Sequence, residues 1–264
     1  MGLRAIIIGW NTSQLEDSGR EKLRELLTET RTPFPADSEV PTDQVAVPSS
    51  TVAVAVDSIA PSLTMTPWND PPFAAASRIT CFESADEALL ARTAQRWQTT
   101  LDEAKGVEVM PVEVRDRRYT SATIATIAYD PALGRQSKEE HPDVLVWPCR
   151  RTPAWWELSP MQRQALFLPR LGPSDEVVAP GHVLVSEPIV PIVHRRLYHQ
   201  SLPNAEPGVM VGWFETSPIH LEALRAVVAD LQRVDLAPDH AYYQSGPLCW
   251  GHRVPVETLQ DELQ

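Results

Sequence analysis

Arg78-Ile79-Thr80-Cys81-Phe82-Glu83-Ser84 and Val209-Met210-Val211-Gly212-Trp213-Phe214-Glu215-Thr216-Ser217 are the stretches on which the fold turns. Each is a strand-like apolar run that ends in Phe-Glu and then Ser or Thr. Behind the first, Leu89, Leu90, Ala94, Trp97 and Leu101 recur at helical spacing over residues 85–104. Behind the second, Leu221, Leu224, Val228 and Leu231 do the same over residues 218–234. Strand, turn and amphipathic helix thus occur twice, which predicts a twofold internal repeat. The architecture that follows is α+β: two ferredoxin-like halves, each a sheet with helices on one face, whose sheets join into an α+β barrel.

Working outward, residues 3–9 form a β-branched strand pattern, and residues 18–28 a helix with Leu23, Leu26 and Leu27 on one face. Residues 32–72 are rich in Pro, Ser, Thr and Asp around one strand-like block at 51–56, which predicts long loops about a single strand. The polar stretch 134–142 reads as the linker between an N-terminal half, residues 1–135, and a C-terminal half, residues 136–264. The second half opens on Val144-Leu145-Val146-Trp147, a buried strand. Ser159 and Pro160 then start a short helix that runs to Phe167.

A chain of 264 residues, 43% of them hydrophobic, can bury a sizeable core without cross-links. Net charge of −12 disfavours a nucleic-acid partner, which would need clustered Lys and Arg. Three cysteines without CxxC spacing argue against a disulfide framework or a structural zinc site and fit a reducing cytoplasm. The apolar block at residues 5–8 is too short for a signal segment or a membrane span, and Ile6 stands where a myristoylation signal has Ser or Thr.

Three of seven histidines, His182, His194 and His199, fall close together, but His194 and His199 are five apart and on a strand face opposite sides. A shared zinc ion is therefore disfavoured. His182, after Pro180-Gly181, reads either as a loop residue or as a lone axial ligand of haem, which needs no partner in spacing. Arg195 reads either as a surface residue beside Arg196 or as an anion clamp, since guanidinium stays charged when partly desolvated. Trp155-Trp156 reads as packing material. The chain has no GxSxG elbow, P-loop or GxGxxG, and sequence shows no base beside Cys149, which disfavours a serine hydrolase or a dinucleotide enzyme.

Three stretches resemble the chlorite dismutase family in order and nearly in spacing. They are Leu145-Val146-Trp147-Pro148-Cys149-Arg150 through Trp155-Trp156 to Arg163; His182 through the box Arg195-Arg196-Leu197-Tyr198-His199; and Trp213-Phe214-Glu215-Thr216 through Asp235 to Arg253-Val254. The match spans roughly residues 143–263, and its most specific element is an arginine thirteen residues after a histidine. The resemblance implies a b-type haem with His182 as proximal iron ligand and Asp235 as the carboxylate that accepts from its imidazole. It implies that Arg195 is the distal arginine, and that Trp155 and Trp156 line the haem cavity or a subunit contact. The implied reaction is decomposition of chlorite to chloride and dioxygen, or a related haem redox step on a small substrate or oxyanion, in a homo-oligomer that is a pentamer by family habit. Alternatives are a haem module for sensing or transfer, and a haem-free structural domain. Trp147 stands where the family's coproheme decarboxylases carry a reactive tyrosine, which speaks against that activity. An additional segment within residues 168–180 precedes His182, and residues 202–207 replace an acidic turn.

Overall fold

A computed structural model describes residues 4–29, 50–61, 68–84, 86–101, 104–114, 141–200 and 209–264. The strands of the first half are β1 (Arg4–Trp10), β2 (Ser50–Ala60), β3 (Arg78–Ser84) and β4 (Val107–Val114). Its helices are α1 (Asp17–Glu29) and α2 (Glu87–Leu101). The second half opens with β5 (Asp143–Arg151), followed by α3 (Pro153–Glu157), α4 (Pro160–Phe167), a hairpin of β6 (Arg170–Leu171) and β7 (Val177–Ala179), and α5 (Gly181–Ser186). Then come β8 (Val193–Gln200), β9 (Met210–Thr216), α6 (Leu221–Leu231), β10 (Tyr243–Ser245), β11 (Leu248–Val254) and α7 (Val256–Asp261).

Around the sheet the strands run β5-β11-β2-β3-β1-β4-β8-β9, and β9 pairs with β5 to close an eight-stranded barrel, with β10 beside the end of β5. Within the first half the order is β2-β3-β1-β4; within the second it is β8-β9-β5-β11, the same permutation of first, second, third and fourth strand. This is the duplicated ferredoxin-like barrel that the repeat predicts, with β3–α2 corresponding to β9–α6. The halves join at the β2–β11 and β4–β8 pairings. The boundary expected at residue 135, the linker except for its last two residues, most of the expected loops between 32 and 72, and the turn at 202–207 lie outside the described residues.

Strand alternation sorts the side chains into three apolar layers. Ala5 and Ile7 of β1, Ile79 and Cys81 of β3, Val144 and Val146 of β5, and Val211 and Trp213 of β9 fill the barrel interior. The outward residues of the first half, among them Ile6, Ile8 and Trp10, meet Leu23, Leu26, Leu27, Leu90, Trp97 and Leu101 from α1 and α2, together with Leu259 of α7. The outward residues of the second half, Leu145, Trp147 and Phe214, meet Leu224, Val228 and Leu231 of α6. Both strand faces are thus buried, which is why these strands read as nearly continuous apolar runs. Ser159 caps α4 through a reciprocal pair with Gln162, and Pro160 opens it.

Candidate functional site

The outer face of the first half is packed with two indoles, Trp10 and Trp97, whereas that of the second half leaves a cavity. Trp147, Leu197, Met210 and Phe214 give it apolar walls, and both His182 and Arg195 line it.

His182 reaches the cavity from α5, the short helix that follows the β6–β7 hairpin. Gly181 makes that turn with φ +68°, and a Cβ there would lie 2.4 Å from the Leu168 carbonyl oxygen. Only glycine fits both demands. The His182 ring packs on Phe167 at 5.3 Å, and Phe167 meets the edge of Trp155 at 5.8 Å.

The imidazole's Nδ1 lies 3.2 Å from Asp239 Oδ2. The same oxygen takes Arg151 Nη2 at 3.3 Å, while Arg151 Nη1 donates to the Asp239 carbonyl oxygen at 3.0 Å. The Arg151 and Asp239 side chains are at most 1% exposed, and the guanidinium is sandwiched between the Trp155 and Tyr243 rings, 3.7 and 3.5 Å from their centroids. Burial alone would raise the Asp239 carboxyl, but the adjoining His182 and His240 rings, the hydrogen bond from His182 and the Arg151 charge outweigh it and hold the group below the usual carboxylate range. Asp239 is therefore an anion that fixes a proton on His182 Nδ1 and assigns Nε2 to any metal.

His240 completes a buried group with His182 and Asp239, whose ligand-capable atoms lie within 4.8 Å of one another. Its pKa is pulled down to about 3 by burial, with the His182 and Arg151 charges adding to the effect and Asp239 opposing it. His240 is thus a neutral imidazole in the folded protein, while an unfolded histidine gains a proton below pH 6.5. A depressed folded pKa means stability is lost as pH falls below the unfolded value. Between pH 6.5 and pH 4 the loss should accumulate to roughly 3 kcal/mol. Asp239, also depressed, adds to the fall once pH drops below its unfolded value of about 4. Thermal melts of wild type and His240→Gln over this range should converge at low pH; parallel curves would contradict this assignment.

The sequence-derived expectation for Asp235 is corrected. Its carboxylate is two-thirds exposed and is held by Arg233 at 2.8 Å, so it accepts nothing from His182. The partner is Asp239, four residues on, turned inward by the 3-10 turn Pro238–Tyr242. Trp155 and Trp156 do not line the cavity. Trp155 is buried behind Phe167, and Trp156 is 43% exposed beneath the Arg163 guanidinium. His194 and His199 stay apart from the His182 group, on opposite faces of β8. Trp147 does line the cavity, and its Nε1 donates to Ser245 Oγ. The additional segment within 168–180 folds as the β6–β7 hairpin, with Leu171, Val177 and Val178 exposed.

Comparison with solved structures brings the same barrel fold. A mutant chlorite dismutase from Candidatus Nitrospira defluvii in complex with cyanide superposes with a TM-score of 0.59 over 100% of this chain and 95% of that one, at 14% identity. That organism's chlorite dismutase in complex with imidazole gives 0.58 over 99% and 95%, at 12% identity. The chain has the chlorite dismutase fold. No family model matches the sequence. No curated protein matches it significantly. At such identity the likeness is one of fold, and it extends over the described residues of both halves.

Proposed function

We infer that this chain binds a b-type haem through His182 and carries out a haem redox reaction on a small substrate, an oxyanion such as chlorite being the first choice. The observation that supports this most is the placing of His182, with Nδ1 tied to Asp239, and of Arg195 on the walls of one largely apolar cavity. The donor set suits the group: a single imidazole oriented by a buried carboxylate, among Trp147, Leu197, Met210 and Phe214, which suit the faces of a macrocycle. His182 Nε2 would hold the iron.

When bound, haem supplies the electron transfers that moving an oxygen atom from an oxyanion requires. The chain's own residues do the rest. Asp239 keeps the proton on His182 Nδ1, which makes the imidazole a stronger donor; Arg151, sharing the same carboxylate oxygen, moderates that effect. Arg195 holds an anion against the apolar wall, where low polarity strengthens its pull. A homo-oligomer, a pentamer by family habit, and a cytoplasmic home belong to the same proposal; among the described residues no helix is long and apolar enough to cross a membrane.

The test is oxygen release after chlorite is added to haem-loaded protein, with the absorption spectrum followed in the same cuvette. Rapid oxygen evolution with a persistent Soret band supports the chlorite reaction, and Arg195→Ala should then lower turnover by about 100-fold or more while haem stays bound. A Soret band without oxygen would redirect the search to another small substrate. Unchanged turnover in Arg195→Ala would remove the clamp.

A further inference from the structure

Behind the cavity wall lies a polar system that the haem site does not use. Leu197 and Gly212 line the cavity, and their strand neighbours Tyr198 and Trp213 point the other way, into the barrel, one strand thickness from the cavity. Both rings are fully buried and meet edge to face, with centroids 6.5 Å apart. Each gives its polar hydrogen to a buried glutamate. Tyr198 Oη donates to Glu83 Oε1, and Trp213 Nε1 donates to Glu215 Oε1 at 2.8 Å. Arg196 stands 3.9 Å from Glu83, and Arg253 pairs with Glu215. These glutamates occupy equivalent places at the ends of the two corresponding strands, β3 and β9, in the Phe-Glu-Ser/Thr segments of the repeat.

A phenol bonded to a carboxylate can lose its proton as it loses an electron, because the acceptor is already in place. The aromatic residues nearer the cavity are less well arranged. Tyr243 has the Arg151 guanidinium 3.5 Å over its ring, and a cation there opposes removal of an electron. Trp147 donates to a serine hydroxyl, a far weaker base than a carboxylate.

We propose that Tyr198 and Trp213 form a one-electron relay behind the cavity, with Tyr198 as the site of oxidation when a peroxide is reduced at the bound haem. The relay rests on the haem reading above. Reduction of hydrogen peroxide to two water molecules takes two electrons and two protons. One electron comes from the haem iron and one from Tyr198; the two protons come from solvent. The phenolic proton passes to Glu83 Oε1 and leaves a neutral phenoxyl. Two electrons from an external one-electron donor, with return of that proton, restore the tyrosine and the iron.

The experiment adds hydrogen peroxide to haem-loaded protein and freezes it for electron paramagnetic resonance. An organic radical signal that narrows when the protein carries ring-deuterated tyrosine, and that is lost in Tyr198→Phe and weakened in Glu83→Gln, is the expected result. The deuterated wild type needs no substitution, and circular dichroism with the Soret band checks that the variants fold and load. A signal that does not narrow, or that survives in Tyr198→Phe and disappears in Tyr243→Phe, overturns the relay and leaves the haem reading intact. Failure of the wild type to take up haem overturns both.

Discussion

Replacing His182 with alanine is expected to abolish the Soret band that the wild-type chain acquires on addition of haemin, with affinity falling by at least about 100-fold. Loss of a group that merely orients a metal ligand already costs roughly 10–100-fold, and His182 would be the ligand itself. The substitution removes a ring that lies against Phe167 and bonds Asp239, so the folded state must be checked by thermal melting. His240→Ala is the informative companion. His240 shares the cavity, and retention of the band there with loss in His182→Ala assigns the iron to one ring. The reverse pattern would place the ligand on His240.

Asp239→Asn should have the largest effect on stability, about 3–5 kcal/mol, because it leaves the Arg151 guanidinium buried without a counter-charge. For a chain of this size that is a fall in melting temperature of roughly 10 °C. The shape of the side chain is kept, so packing loss cannot account for the drop. Adding Arg151→Met to the variant should recover much of it, since a neutral Asn–Met pair leaves no uncompensated buried charge. Failure of the second substitution to recover stability would show that Arg151 is held by its aromatic sandwich rather than by Asp239. In haem-loaded protein the same Asp239→Asn change should lower the iron–imidazole stretching frequency, read by resonance Raman, because the neutral amide no longer draws the proton of His182 Nδ1.

Much of the architecture was legible because it is written in period. The apolar stripe of α2 through Leu90, Trp97 and Leu101, and that of α6 through Leu224, Val228 and Leu231, name the faces that pack. The two Phe-Glu segments, expected as turns and found as the last residues of β3 and β9, announce the duplication. His182 and Arg195 were singled out by the family resemblance, whose most specific element is their spacing, and both line one cavity.

The carboxylate was not legible, because Asp235 and Asp239 lie four residues apart in a stretch without helical or strand period. What separates them is local: Arg233 captures Asp235 two residues away, whereas Pro238 starts the turn that buries Asp239. Arg151 was concealed next to Arg150, which turns outward to Gln244 and Trp68. The dipeptide Asp239-His240 after a proline was the available signal, but its meaning depends on a loop conformation that pattern does not encode. His240 was missed for the same reason.

Closure of the strand order β5 through β9 back to β5 has a consequence for how copies of this chain can meet. Each of the eight barrel strands has a hydrogen-bonded neighbour on each side, the β4–β8 seam being the shortest, through Val112–Val114 and Tyr198–Gln200 among the described residues, so little of the barrel's backbone is open to a strand of another copy. Contacts between copies through helices, hairpin and loops would leave the closed barrel untouched. Such contacts can form and separate without breaking a single rung of the barrel, so dissociated subunits should retain their folded sheet.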